Sequence, residues 1–133
     1  MIVLDTHIWI WWITQSPKLT DQMQVAINNN RSEGLGVSIF SCWEVAKLVE
    51  KQKLELSLPI NDWIRTALQY PNVRLLDLTI PIIVKSTKLE GFHKDPADQI
   101  IVATAQIHDC PLLTIDRKIA AYSDVETVDL ESE

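Results

Sequence analysis

Apolar residues along this chain fall into short blocks, separated by longer stretches in which they return every three or four positions. Residues 1–4, 35–39, 73–78, 112–115 and 126–130 read as strands, because a brief apolar run bounded by polar or turn residues fits a buried strand. Residues 6–14 set Ile8, Trp9, Trp12 and Ile13 at helical spacing, and Gln15-Ser16-Pro17-Lys18 breaks the run. Thr20 or Asp21 then caps a helix through Met23, Val25, Ala26 and Ile27 that frays into Asn28, Asn29 and Asn30. Further helices are expected over 41–51, with Val45, Leu48 and Val49 inward, and over 60–70, ended by Pro71. Pro81 opens another that stops near Gly91, and residues 96–108 and 117–122 supply two more, while 53–56 form a short extended piece before Pro59. Strands separated by helices argue for an α/β protein with a mainly parallel central sheet of four to five strands flanked by helices. The whole of 1–133 reads as one domain, since two would each have a poor core.

Composition narrows the class. Apolar residues make up 47% and charged residues 23%, which suits a soluble globular chain. Cys42 and Cys110 are the only cysteines, too few for a disulfide framework and without zinc-ligand spacing, so both read as small packed hydrophobes. The N-terminus lacks a basic region and a long apolar run, so the expected location is cytoplasmic, with no membrane span. A formal charge of −6 opposes a strongly basic nucleic-acid binder, whose affinity is largely electrostatic. That objection weakens if four of the 18 acids surround divalent ions, because the lysines and arginines then form local patches.

Four acids stand out by position. Asp5 and Asp116 directly follow predicted strands, and Glu44 and Asp98 lie in the opening turns of predicted helices. In open α/β sheets ligands bind beyond the carboxyl ends of the strands. Each acid also has a local account. Ser41-Cys42-Trp43-Glu44 fits a capping box, in which serine caps the helix and glutamate reaches back. Asp95-Pro96 fits an N-cap followed by proline, which leaves Asp98 favoured by the helix dipole but one turn in, where it can reach the crevice. Asp116 fits a turn or a cap. Asp5 has the weakest local account, because a nearly buried carboxylate needs a partner. Carboxylates meeting at one edge repel unless a cation neutralises them, which makes a divalent-metal site the leading reading.

At these residues the chain resembles the PIN-domain proteins, and within them the VapC-type toxins of toxin–antitoxin pairs. The segments are Met1-Ile2-Val3-Leu4-Asp5-Thr6-His7, Ile39-Phe40-Ser41-Cys42-Trp43-Glu44-Val45-Ala46, Asp95-Pro96-Ala97-Asp98-Gln99-Ile100-Ile101-Val102-Ala103-Thr104-Ala105 and Leu113-Thr114-Ile115-Asp116. They occur in the family's order and span essentially the whole chain. The resemblance implies a PIN-like three-layer sandwich and a ribonuclease that uses Mg²⁺ or Mn²⁺, with Asp5, Glu44, Asp98 and Asp116 as catalytic and metal-binding residues. It also implies an RNA substrate, a small cognate antitoxin protein and a homodimer. Thr6 and Thr114 stand where relatives often place a hydroxyl beside the site. Gln99 stands where many relatives carry arginine, which puts one phosphate or salt-bridge contact in question.

Other features read more plainly. Lys47, Lys94, Arg117 and Lys118 flank the acids, either as RNA-phosphate contacts or as a solvated face. Trp9, Trp12, Trp43 and Trp63 are expected inward, with Trp11 off that stripe and facing a partner. His7, His93 and His108 read as ordinary residues. A phosphatase using two aspartates two residues apart is disfavoured because His7 occupies the second place, and a dinucleotide fold lacks its glycine-rich turn. A non-catalytic PIN-fold module that binds RNA or protein without cutting is the rival reading.

Overall fold

The computed structural model describes residues 1–130. The sheet is built from β1 (Ile2–Leu4), β2 (Leu35–Ser38), β3 (Val73–Leu76) and β4 (Leu112–Leu113), in the order β3-β2-β1-β4. Every pairing is parallel, with Ile2 opposite Leu35 and Val3 opposite Leu112. β1 is therefore central and buried along its length. Alternation along it sorts the layers: Ile2 and Leu4 enter one core and Val3 the other.

Helices α1 (Thr6–Thr14), α2 (Asp21–Asn30), α3 (Ile39–Glu50) and α4 (Ile60–Leu68) cover the first face. Their inward residues include Ile8, Trp9, Trp12, Ile27, Val45 and Trp63. Trp9 is fully buried and meets the edge of Trp63 at 5.3 Å between ring centres. Helices α5 (Ile80–Ser86), α6 (Pro96–His108) and α7 (Arg117–Ala120) lie beyond the other face, where Ile101, Val102, Ala105 and Ile119 close the second core. This is the three-layer α/β sandwich expected from the sequence, with four strands. Among the described residues no helix is long and apolar enough to cross a membrane.

Most boundaries fall where local chemistry places them. α1 ends as expected at Gln15, which adopts the left-handed conformation (φ 53°) and donates its N–H to the last-turn carbonyls of Trp11 and Trp12. Thr20 caps α2 by accepting the Met23 N–H. Several expectations need correction, and the helix opened by Pro81 stops at Ser86 rather than near Gly91. The strand at 126–130 is reduced to one parallel bridge, Thr127 to Leu112, because β4 is only two residues long and offers no longer ladder. α3 starts at Ile39 rather than at 41: Ser38, the last residue of β2, is its cap and accepts the Phe40 N–H at 3.0 Å. Trp43 is 53% exposed rather than inward, and Trp11 is half-buried against the first core rather than free for a partner.

Candidate active site

Parallel pairing of all four strands puts their carboxyl ends on one edge, and the sequence sets an acid or a helix start directly beyond them. Asp5 follows central β1 and caps α1: its Oδ1 accepts the Thr6 N–H at 2.8 Å. Its Oδ2 accepts the Thr114 hydroxyl at 2.6 Å, which ties β1 to the residue after β4. Thr114 is buried, and its oxygen also accepts the Asp116 N–H at 3.0 Å. Asp116 caps α7 through the N–H groups of Lys118 and Ile119. One threonine thus connects two of the acids.

Thr6 makes the second connection. Its hydroxyl donates to Glu44 Oε1 and lies 2.8 Å from the buried Ser41 hydroxyl. A hydroxyl has one proton. Since Thr6 gives its proton to the carboxylate, the Ser41 proton completes the other contact. Ser41 is therefore not the cap of α3, and Glu44 does not reach back in a capping box. The early helix start puts both residues on the inner side of α3, facing α1.

Asp98 comes from the first turn of α6, whose cap is Asp95, as the sequence suggested. The Asp95 Oδ1 accepts the N–H groups of Ala97 at 2.9 Å and Asp98 at 3.3 Å. This leaves the Asp98 carboxylate without a capping duty, 3.1 Å from His93 Nε2. Gln99, at the position the resemblance flagged, donates its side-chain amide to the His93 carbonyl at 3.2 Å, so it serves the loop before α6.

Electrostatics shows how close the four acids stand. Burial pushes the Glu44 carboxyl up to about 7; the hydrogen bond from Thr6 opposes this, while Asp5, Asp98 and Asp95 add repulsion. Burial likewise raises Asp98 to about 6, reinforced by Asp95, Asp116 and Asp5 and opposed by His93. Asp5 is raised by burial against the bonds from Thr114 and Thr6, and Asp116 adds repulsion. Asp5 thus lies within electrostatic reach of Glu44 and Asp98, and Asp116 within reach of Asp5 and Asp98.

Such a set suits a hard cation. All its donors are oxygens, the type that Mg²⁺ and Mn²⁺ prefer. Two of its carboxylates are raised toward protonation, by burial first and by their acidic neighbours second. Among the described residues no three acids, histidines or cysteines stand close enough together to hold a metal ion by themselves. That is compatible with Mg²⁺, which binds through one or two carboxylates and keeps several waters.

A parallel three-layer sandwich that sets acids just beyond its strand ends and at the starts of the neighbouring helices marks the PIN class of proteins. The chain belongs to this family: the model described as PIN domain matches residues 2–125. It is 30% identical over 122 residues to Ribonuclease VapC22 of Mycobacterium tuberculosis, covering 91% of each chain. Among solved structures it resembles VapBC2 from Rickettsia felis bound to a promoter DNA fragment, with a TM-score of 0.69 at 16% identity over 96% of this chain and 98% of that one. It also resembles FitAcB from Neisseria gonorrhoeae, with a TM-score of 0.69 at 23% identity over 98% of both chains. At such identities these structures speak for the fold.

Sequence reasoning did not find Ser41 and His93 as neighbours of the acids. Ser41 was misread because Ser38, three residues earlier, also suits a cap. His93 had one available signal, its place two residues before the Asp95 cap.

Proposed function

We propose that this chain is a metal-dependent ribonuclease, the toxin of a toxin–antitoxin pair, with Asp5, Glu44, Asp98 and Asp116 as its catalytic and metal-binding residues. The observation that carries the reading is the pair of threonine bridges at the strand ends of a PIN sandwich, Thr6 to Glu44 and Thr114 to both Asp5 and the Asp116 backbone. The likeness to a protein named as a ribonuclease, across 91% of the chain, supports the substrate class.

Asp5 and Asp98 are assigned as the main ligands of Mg²⁺ or Mn²⁺, with Glu44 and Asp116 completing the set. A bound ion would neutralise charge on the scissile phosphate and activate water for phosphodiester hydrolysis. The protein's own groups do the positioning. Thr114 and the Thr6 N–H hold both Asp5 oxygens in place. Glu44 is held by Thr6, placed to serve as a further ligand, a ligand through water or a proton acceptor. Exposed Lys94, Arg117 and Lys118 stand beside Asp95 and Asp116, where they would meet the RNA backbone that the acids repel.

The partners follow from the same reading. The solved complexes that share the fold pair a toxin with an antitoxin, which supports a small cognate antitoxin here. A basic side chain of that partner, inserted among the acids, would neutralise them as a cation does. A homodimer and a cytoplasmic location complete the proposal.

The test is RNA cleavage with Mg²⁺ or Mn²⁺, with and without a chelator. Chelation should abolish cutting. Asp5→Asn and Asp98→Asn should each lower the rate by about 10²–10³-fold, the scale of losing one charge-stabilising group. Asn can still cap α1, so the fold should survive at position 5. RNA binding without cleavage by the wild type would instead establish a non-catalytic PIN module.

A further inference from the structure

The segment between α5 and α6 carries a group that the four acids leave unused. His93 is half-buried, and its Nε2 is sealed from solvent 3.1 Å from Asp98 Oδ2, within ion-pair reach but without hydrogen-bond alignment. The other ring nitrogen, Nδ1, accepts the Asp95 backbone N–H at 3.4 Å. Neutral imidazole has one donor and one acceptor nitrogen. With Nδ1 used as the acceptor, the ring proton sits on Nε2 and faces Asp98.

The ring is also seated from several directions. Phe92 packs on it at 4.4 Å between ring centres and on Tyr122 at 4.8 Å, and the Tyr122 hydroxyl donates to the Glu90 carbonyl at 2.9 Å. Gln99 Nε2 donates to the His93 carbonyl, so α6 supplies both the carboxylate that His93 faces and the amide that clips its backbone.

We propose that His93 is a positioning residue for Asp98, its Nε2–H holding Oδ2 so that the other oxygen is kept for a cation. This rests on the reading of Asp98 as a metal ligand. The buried Nε2–H still lacks an aligned acceptor, and a small turn of the carboxylate would supply one, recovering the penalty of an unmet buried donor. Hydrogen bonds behind metal-binding groups typically control affinity by 10–100-fold.

The experiment is Mn²⁺ titration calorimetry on the RNA-free protein, with the metal-free melting temperature measured in parallel. The variants are His93→Leu, His93→Asn and His93→Gln. Glutamine extends an amide N–H to roughly the place of Nε2, whereas asparagine is too short. Affinity should fall about 10–100-fold for Leu and Asn, and Gln should restore it to within a few-fold of wild type. Equal affinities in all three variants, whether wild-type-like or uniformly reduced, would overturn the positioning role and leave His93 as a loop staple. A wild-type protein that binds no Mn²⁺ would overturn the metal-site reading and this inference with it.

Discussion

Glu44 shows how one side chain's surroundings translate into a measurable dependence on pH. Its carboxyl is raised from an ordinary 4.5 to about 7, burial being the main cause. Between those values the folded chain holds a proton that the unfolded chain has released. Stability from this group is therefore highest below about pH 4.5 and falls as pH rises toward 7, the reverse of an ion-paired acid. Glu44→Gln removes the penalty. The metal-free variant should be more stable than wild type at pH 8, on the order of 1–2 kcal/mol after allowing for solvent screening. The difference should vanish below pH 4.5. Denaturant melts at the two pH values, with chelator present, decide the matter; equal stabilities at pH 8 would mean that Glu44 sits in a more polar setting. Residue-scale chemistry was partly legible in the sequence. Two of the four acids have the local duties that the sequence suggested: Asp116 caps α7, and Asp98 leaves the cap of α6 to Asp95. Asp5, given the weakest local account, is a helix cap, whereas Glu44, expected in a capping box, bonds to Thr6 instead.

At the scale of elements, the start of α3 decides what Glu44 can do. Two serines three residues apart both suit a cap, and only the length of β2 selects between them. β2 runs through Ser38, so the helix begins at Ile39 and Ser41 is carried inside, where its hydroxyl meets Thr6. The two serines should therefore fail differently. Ser38→Ala removes a cap and should lower stability by about 1 kcal/mol with little change in Mn²⁺ affinity. Ser41→Ala takes a partner from Thr6 and should weaken Mn²⁺ binding, through Glu44, by more than Ser38→Ala does. Melting curves and calorimetry on the pair check both halves; a larger loss of affinity in Ser38→Ala would reverse the assignment. α6 needed no such correction. Asp95-Pro96 opens it and the expected span of 96–108 is the observed one, because cap, proline and apolar period all agree.

For the whole molecule, the exposed apolar surface bears on assembly. Helix α5 packs one side toward α6 but leaves Ile80, Ile83 and Val84 exposed, Ile80 at 76%. It follows β3, the sheet's edge strand, where Leu75 is also exposed. Clustered apolar exposure of this kind marks interaction surfaces, and this face is the one to test for the proposed homodimer. Ile80→Asp with Ile83→Asp should shift the protein from dimer to monomer in light scattering while the melting profile of the fold persists. A wild-type monomer, or an unaltered dimer in the double variant, would exclude this face.

The sequence by itself determined the alternation of strands and helices, the parallel sheet, several helix boundaries and the four acids proposed for the site. Those features rest on local physics: apolar period, caps, turn residues and the rule that α/β sites lie beyond strand ends. It overreached where the signal was local but the outcome was not, as at 126–130, whose pairing ends with the two-residue β4. Only the tertiary structure decided which distant side chains hold the acids. That choice depends on Thr6 meeting Glu44 across 38 residues and Thr114 meeting Asp5 across 109. Contacts between such distant positions leave no periodic trace in the chain. They appear once the parallel sheet has brought the strand ends to one edge, where burial and mutual repulsion give the same carboxylates a chemistry that none has alone.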